Sequence, residues 1–213
     1  MSVLQQLRQL MPDRPVTDRE ARAIAERQAA RLLTLAGITE PHVPGSIMAE
    51  LPRIAVQVRP GLPKSGITFW DRRAKLWRIW LRAQDVPVRQ RFSLAHEIKH
   101  VIDNDVIDFA YPPIGLRSSR QRAELICDYF AACLLMPRPW VKRAWGMRVQ
   151  QVDALAELFG VSTEAMARRL SDLGLAESPY RNMYFRDSPV TDEFDTPAVY
   201  FRASPRIMEE VAA

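Results

Sequence analysis

Between residues 18 and 36 apolar side chains return at helical spacing. Ala21, Ile24, Ala25, Leu32 and Leu35 trace one stripe, as in a helix with a single buried face. Thr17 and Glu20 stand ahead of it at the spacing of a reciprocal N-terminal cap, and Gly37 suits the turn that ends it. A shorter helix is expected over residues 3–11, and Pro41, Pro44 and Gly45 mark a loop. The period then changes: Ile54, Val56 and Val58 alternate with polar or small residues, which predicts a half-buried strand. Two aromatic-rich runs, 67–70 and 76–81, read as strands of a hairpin joined through 71–75. Helical spacing returns at 94–104, with Ser93 as the expected N-cap, and at 121–136 after a loop holding Pro112, Pro113 and Gly115. Pro137 and Pro139 interrupt the pattern. An amphipathic run at 149–159, a turn at Gly160-Val161, a cap at Ser162 and a helix at 163–173 ending at Gly174 then form a helical hairpin. From residue 176 on, Pro, Asp and Tyr are scattered without a period, as in an extended tail or irregular cap. No internal repeat is present. The pattern predicts an α+β chain with a core at 1–140, a helical appendage at 141–175 and a tail at 176–213.

The helix at 94–104 contains His96-Glu97-Ile98-Lys99-His100, an H-E-x-x-H motif. Positions i and i+4 of a helix lie one above the other, so both imidazoles can face one metal ion. Glu97 lies about 100° further round and still reaches a water on that ion. Leu94, Ile98, Val101 and Ile102 fall on the opposite side, so the histidines face a cleft or solvent while the back of the helix packs on a core. Two imidazoles and a neighbouring carboxylate are the parts of a zinc hydrolase.

A catalytic zinc usually takes a third protein ligand. His42 is the one histidine outside the motif and sits in the Pro41–Pro44 loop with no spacing to recommend it. Asp103 would string three ligands along one helix, a poor tetrahedral fan. Cys127 is chemically suited. Glu124 is the stronger candidate: with Asp128 it forms an i, i+4 carboxylate pair on a helix face shared with Cys127 and Ala131. Glu124 would close the metal site, and Asp128 would accept a hydrogen bond from the far nitrogen of a ligand histidine.

Composition sets the frame for this chemistry. A chain of 213 residues with 47% hydrophobic and 26% charged residues is ordinary for one globular core with a small appendage. No apolar run approaches the ~20 residues of a membrane span, and residues 1–15 lack the pattern of a signal peptide. Cys127 and Cys133 lie six residues apart in one expected helix. Their Cα atoms would be ~9 Å apart, too far for a disulfide. Free thiols without an export signal lead to a cytoplasmic expectation. The net charge is +5 with a pI near 9.5. Because 176–213 carries four Arg against seven acidic residues, the first 175 residues hold +8. Such a surplus would suit an acidic partner or DNA; it is read here as a solvated surface.

The run Arg91-Phe92-Ser93-Leu94-Ala95-His96-Glu97-x-x-His100, followed by Glu124-x-x-Cys127-Asp128-x-Phe130-Ala131-Ala132-x-Leu134-Leu135-Met136-Pro137, resembles the ImmA/IrrE metallo-endopeptidases. The resemblance covers residues 24–175, including the strands before the motif helix and the Val-Ser-x-x-x-Met-x-x-Arg-Leu hairpin after it. It implies a zincin-like core with a small mixed or antiparallel sheet and a metal-binding helix pair, with a Glu as third ligand in the gluzincin manner. It also implies cleavage of a helix-turn-helix repressor, which would derepress a mobile element or stress regulon. The chain departs from the family where Lys99 replaces a usual Gly and Cys127-Asp128 replaces Ala-Asn. Lys99 is expected near the rim of the cleft, about 60° round the helix from His96.

In the mechanism these parts predict, zinc (with manganese as its substitute in the cell) acidifies a water, Glu97 takes the proton, and the leaving amine receives it. Tyr111, Arg120 and Tyr129 are the candidates for oxyanion or substrate contacts, and one of the strands at 67–70 and 76–81 is expected to offer an edge to an extended substrate. The alternatives are a DNA- or partner-binding regulator with a vestigial or structural metal site, built on the 155–170 hairpin, and a toxin-like stand-alone hydrolase. Glu97 discriminates: a binding protein has no need of a carboxylate between the two histidines. No specific nucleic acid and no membrane are expected as partners.

Overall fold

The computed structural model describes residues 1–176. Helices α1 (Val3–Arg8) and α2 (Asp18–Leu35) each begin at a reciprocal cap, Ser2 with Gln5 and Thr17 with Glu20. After the short α3 (Ser46–Ala49) come strands β1 (Ile54–Arg59), β2 (Gly66–Asp71) and β3 (Leu76–Arg82). The sheet is mixed. Its order is β1-β3-β2, with β1 parallel and β2 antiparallel to the central β3. Register runs from Gly66 opposite Leu81 to Asp71 opposite Leu76, and Asp71 Oδ1 accepts from the Arg73 and Ala74 backbone N–H groups at 2.9 Å to set the turn.

The remaining elements are helical: α4 (Pro87–Asp103), α5 (Ile107–Ala110), α6 (Ser119–Leu135), α7 (Arg138–Gly146), α8 (Val152–Phe159) and α9 (Thr163–Asp172). Two expectations need correction. Helix α4 starts two turns before Ser93, which is buried in mid-helix and caps nothing. Its N-cap position is Val86 and Pro87 opens it, since a fixed φ suits the first turn and the missing N–H would find no partner there anyway. For the same reason Pro139 lies in the first turn of α7 rather than breaking the chain, and α7 runs across the boundary expected at 140/141. Of the expected tail, residues 177–213 lie outside the described residues.

Helix α6 packs against both α2 and α4, and α4 packs in turn on β2 and β3. The shared core includes Ile24, Leu32, Ile79, Ile98, Phe130 and Leu134, all at most 2% exposed. The apolar back of α4 behaves as expected: Leu94, Ile98, Val101 and Ile102 are buried. Lys99 does not. It is fully buried, with Nζ donating to Gln28 Oε1 and Asp103 Oδ1, both at 2.7 Å. Asp103 also accepts from the Tyr111 hydroxyl at 2.5 Å. The expected rim position of Lys99 fails because Asp103, one turn on, and Gln28 from α2 neutralise and solvate it inside. Arg122 is buried in the same manner, held by Asp18 at 2.7 Å and by the Val16 carbonyl at 3.0 Å.

The α8–α9 hairpin is docked on this body. Arg169 is fully buried and its Nε donates to the Met136 carbonyl at 3.0 Å. Arg91 of α4 donates to the carbonyls of Phe159 and Gly160 at the turn. His42, the histidine outside the motif, packs against that same turn, where a side chain at Gly160 would strike it. Among the described residues no helix is long and apolar enough to cross a membrane.

Candidate metal centre

Two helices build the site. On α4, His96 and His100 bring their Nε2 atoms to 3.0 Å of each other. On α6, Glu124 places Oε2 3.1 Å from His96 Nε2 and Oε1 3.5 Å from His100 Nε2. The i, i+4 spacing on α4 stacks the rings, and the contact of α4 with α6 carries the carboxylate to them. Asp128, one turn further along α6, accepts from His96 Nδ1 at 2.8 Å. That hydrogen bond orients the ring with Nε2 toward the cluster, so an ion that displaced the Nε2 proton would meet its lone pair.

The electrostatics follow from this crowding. Burial drives the His96 pKa down, but hydrogen bonds to Asp128 and Glu124 outweigh it and raise it to about 10. Burial would raise Glu124, yet hydrogen bonds from His100 and His96 hold it well below the ordinary carboxylate range. A cluster of two nitrogens and a carboxylate, held together by protons, is a donor set suited to a divalent ion. The thiol of Cys127 and one ring nitrogen from each histidine also lie within 4.8 Å of one another.

Glu97 is only 7% exposed and lies against the start of β2. A Cβ on Gly66 would stand 2.6 Å from Glu97 Oε1 and 2.8 Å from its Cγ, so the glycine is the space the carboxylate occupies. The sequence reading missed Gly66; a glycine opening a strand is the signal for such close approach.

The other candidates separate. Tyr111 is fully buried with its hydroxyl committed to Asp103, which corrects its assignment as an oxyanion contact. Arg120 is exposed in the first turn of α6. Tyr129 is half-buried and lines a cavity of about 60 Å³ beside Asp128, together with Phe92, Arg22 and Arg168. Of the two strands expected to offer an edge, β3 is paired on both sides and cannot; β2 has one open edge among the described residues.

Residues 58–171 match the model of the IrrE N-terminal-like domain, a peptidase family. The chain belongs to that family. It is 31% identical over 150 residues to the radiation response metalloprotease IrrE of Deinococcus radiodurans, covering 67% of this chain and 44% of that protein. The protein of the same name from Deinococcus deserti is 31% identical over 107 residues, covering 48% and 34%. A propionyl-CoA carboxylase regulator of Cereibacter sphaeroides is 33% identical over 97 residues, covering 44% and 21%. The chain thus spans less than half the length of these relatives. A solved Mycobacterium tuberculosis transcriptional regulator superposes with a TM-score of 0.54 at 23% identity, over 80% of this chain and 52% of that one, a likeness of fold. Membership in a metallopeptidase family implies a metal, and the IrrE-like domain spans the H-E-x-x-H helix, α6 and nearly all of the hairpin.

Proposed function

We propose that this chain is a zinc-dependent endopeptidase with a zincin-like core, whose ion is held by His96, His100 and Glu124 and whose general base is Glu97. The observation that carries the reading is the meeting, from two helices, of two imidazole nitrogens 3.0 Å apart with a carboxylate whose two oxygens lie 3.1 and 3.5 Å from them, with Glu97 one residue from His96 and walled by Gly66. When bound, the ion supplies Lewis acidity toward a water and the scissile carbonyl. Glu97 accepts the proton of the attacking water and delivers it to the departing amine nitrogen. Its burial against Gly66 holds the carboxylate in one place and limits competing solvent. Asp128 holds the His96 ring, and with it the lone pair of Nε2, in position. The open edge of β2 begins at Gly66, so an extended peptide added there as a further strand would pass beside Glu97. Tyr129, in the cavity beside Asp128, is the substrate contact this geometry favours.

The substrate we propose is a helix-turn-helix repressor cleaved inside the cytoplasm. The support lies in the relatives' names, one a radiation response metalloprotease and the other a regulator of propionyl-CoA carboxylase, which join proteolysis with regulation. The test incubates the zinc-loaded protein with small helix-turn-helix repressors, taken first from any encoded by neighbouring genes. Wild type is expected to cut one of them at one site. Glu97→Gln keeps the ligands and is expected to retain zinc while losing cleavage by ~100- to 10,000-fold. A Glu97→Gln variant that cleaves normally would overturn the mechanism, and a wild-type protein that binds zinc yet leaves the repressors whole would overturn the substrate. Zinc binding with no cleavage of any peptide would favour the regulator reading.

A further inference from the structure

Cys127 lies on α6 one turn after Glu124, is 1% exposed, and is a free thiol. Its Sγ and one ring nitrogen from each of His96 and His100 lie within 4.8 Å of one another, close enough for a buried sulfur and the two imidazoles to share one ion. Glu124, by contrast, has a side chain 47% exposed and reaches that point from the solvent side. The chain therefore presents one carboxylate and one thiol to the same pair of histidines, on adjacent turns of one helix.

We propose that Cys127 is a metal donor of this centre and its selectivity residue: the thiolate joins the imidazoles of His96 and His100 on the ion and commits the site to zinc over manganese. The inference rests on the assignment of His96 and His100 as ligands made above. On binding, the Sγ–H bond breaks, the proton leaves to solvent and the sulfur lone pair forms the bond to the ion, with no change of oxidation state. Sulfur and nitrogen donors suit zinc and cobalt, whereas carboxylate and water suit manganese, so a thiolate in the set separates these ions where a carboxylate alone would not. Cys127 would add sulfur to the set of His96, His100 and Glu124, and the half-exposed Glu124 carboxylate would be the donor able to give way to water.

The full chain, loaded with zinc, is examined by X-ray absorption, and loaded with cobalt by near-ultraviolet absorption. Wild type is expected to show a sulfur neighbour at ~2.3 Å from zinc and a thiolate-to-cobalt charge-transfer band. Cys127→Ala loses both and its preference for zinc over manganese narrows in a competition titration. Cys133→Ala keeps both, because that thiol sits among Tyr129, Arg169 and Glu26. A wild-type zinc shell of nitrogen and oxygen only overturns this proposal and leaves the peptidase reading standing, whereas a protein that binds no ion overturns both. A band that survives Cys127→Ala also overturns it. If Cys127→Ala does not fold, the sulfur shell of the wild-type protein decides alone.

Discussion

At the scale of single residues, the centre is organised by what each side chain is forced to touch. Asp128 is 2.8 Å from His96 Nδ1, and a carboxylate in that place orients the ring and raises its basicity toward the ion. Asp128→Ala is expected to weaken zinc retention by ~10- to 100-fold, measured by chelator competition. An unchanged affinity would show that the ring is held by packing alone. Beneath the site, Lys99 and Asp103 form a buried pair whose charges are further met by Gln28 and Tyr111. Removing one charge strands the other in the interior, so Asp103→Ala is expected to cost about 3–5 kcal/mol in urea unfolding. The spacing of His96, Glu97 and His100 was legible in the sequence because geometry along one helix is a local property, whereas Glu124 arrives from a second helix, 28 positions on from His96. Lys99 was not legible: its second partner, Gln28, is 71 positions away, and nothing local reveals that an amide waits there.

At the scale of elements, whatever is set by near neighbours could be read directly. The Thr17–Glu20 cap fixes the start of α2, and the Glu20 carboxyl is held down to about 2, first by the hydrogen bond from Arg14 and then by the Thr17 backbone N–H. A depressed folded pKa stabilises the fold above the ordinary carboxylate range, and the contribution is lost as pH falls through that range toward 2. The melting temperature of Glu20→Gln is accordingly expected to lie below wild type at neutral pH and to converge on it in acid. The start of α4 was misread because Val86 offers no side-chain cap, and the role of Pro87 resembles that of a breaker until the helix is seen. The parallel pairing of β1 with β3 was likewise hidden, since it joins strands that are not consecutive. The contact of β2 with α4 gives a sharper test. Gly66→Ala must push Glu97 Oε1 and Cγ away from a methyl 2.6 to 2.8 Å distant. Zinc content should hold while peptidase rate falls on the order of 100-fold, as expected for a displacement near 1 Å. Equal activity would mean that Glu97 works from another rotamer.

At the scale of the molecule, the question is what the α8–α9 hairpin is for. Its apolar seam was legible, and Leu155, Phe159, Met166 and Leu170 are all fully buried. Its cations were harder to place. Arg168 and Arg169 are the cations a DNA-reading hairpin would offer to phosphates, but Arg169 is fully buried on the Met136 carbonyl and Arg168 lies 3.8 Å from Glu164. The first turn of α9, where a recognition helix meets base edges, carries Glu164 instead of a donor. Arg91 holds the turn from the other side, so the hairpin is fastened to the core at both ends of its seam. A pI near 9.5 still attracts DNA through its phosphates. The expected outcome of a mobility-shift titration at physiological salt is therefore weak binding, with a dissociation constant on the order of 10⁻⁴ to 10⁻⁶ M, indifferent to sequence and falling steeply as salt rises. Tight binding to one sequence, abolished by Arg168→Ala while zinc content stays whole, would make the hairpin a reader of DNA. The peptidase would then be one half of a regulator that also finds its own operator.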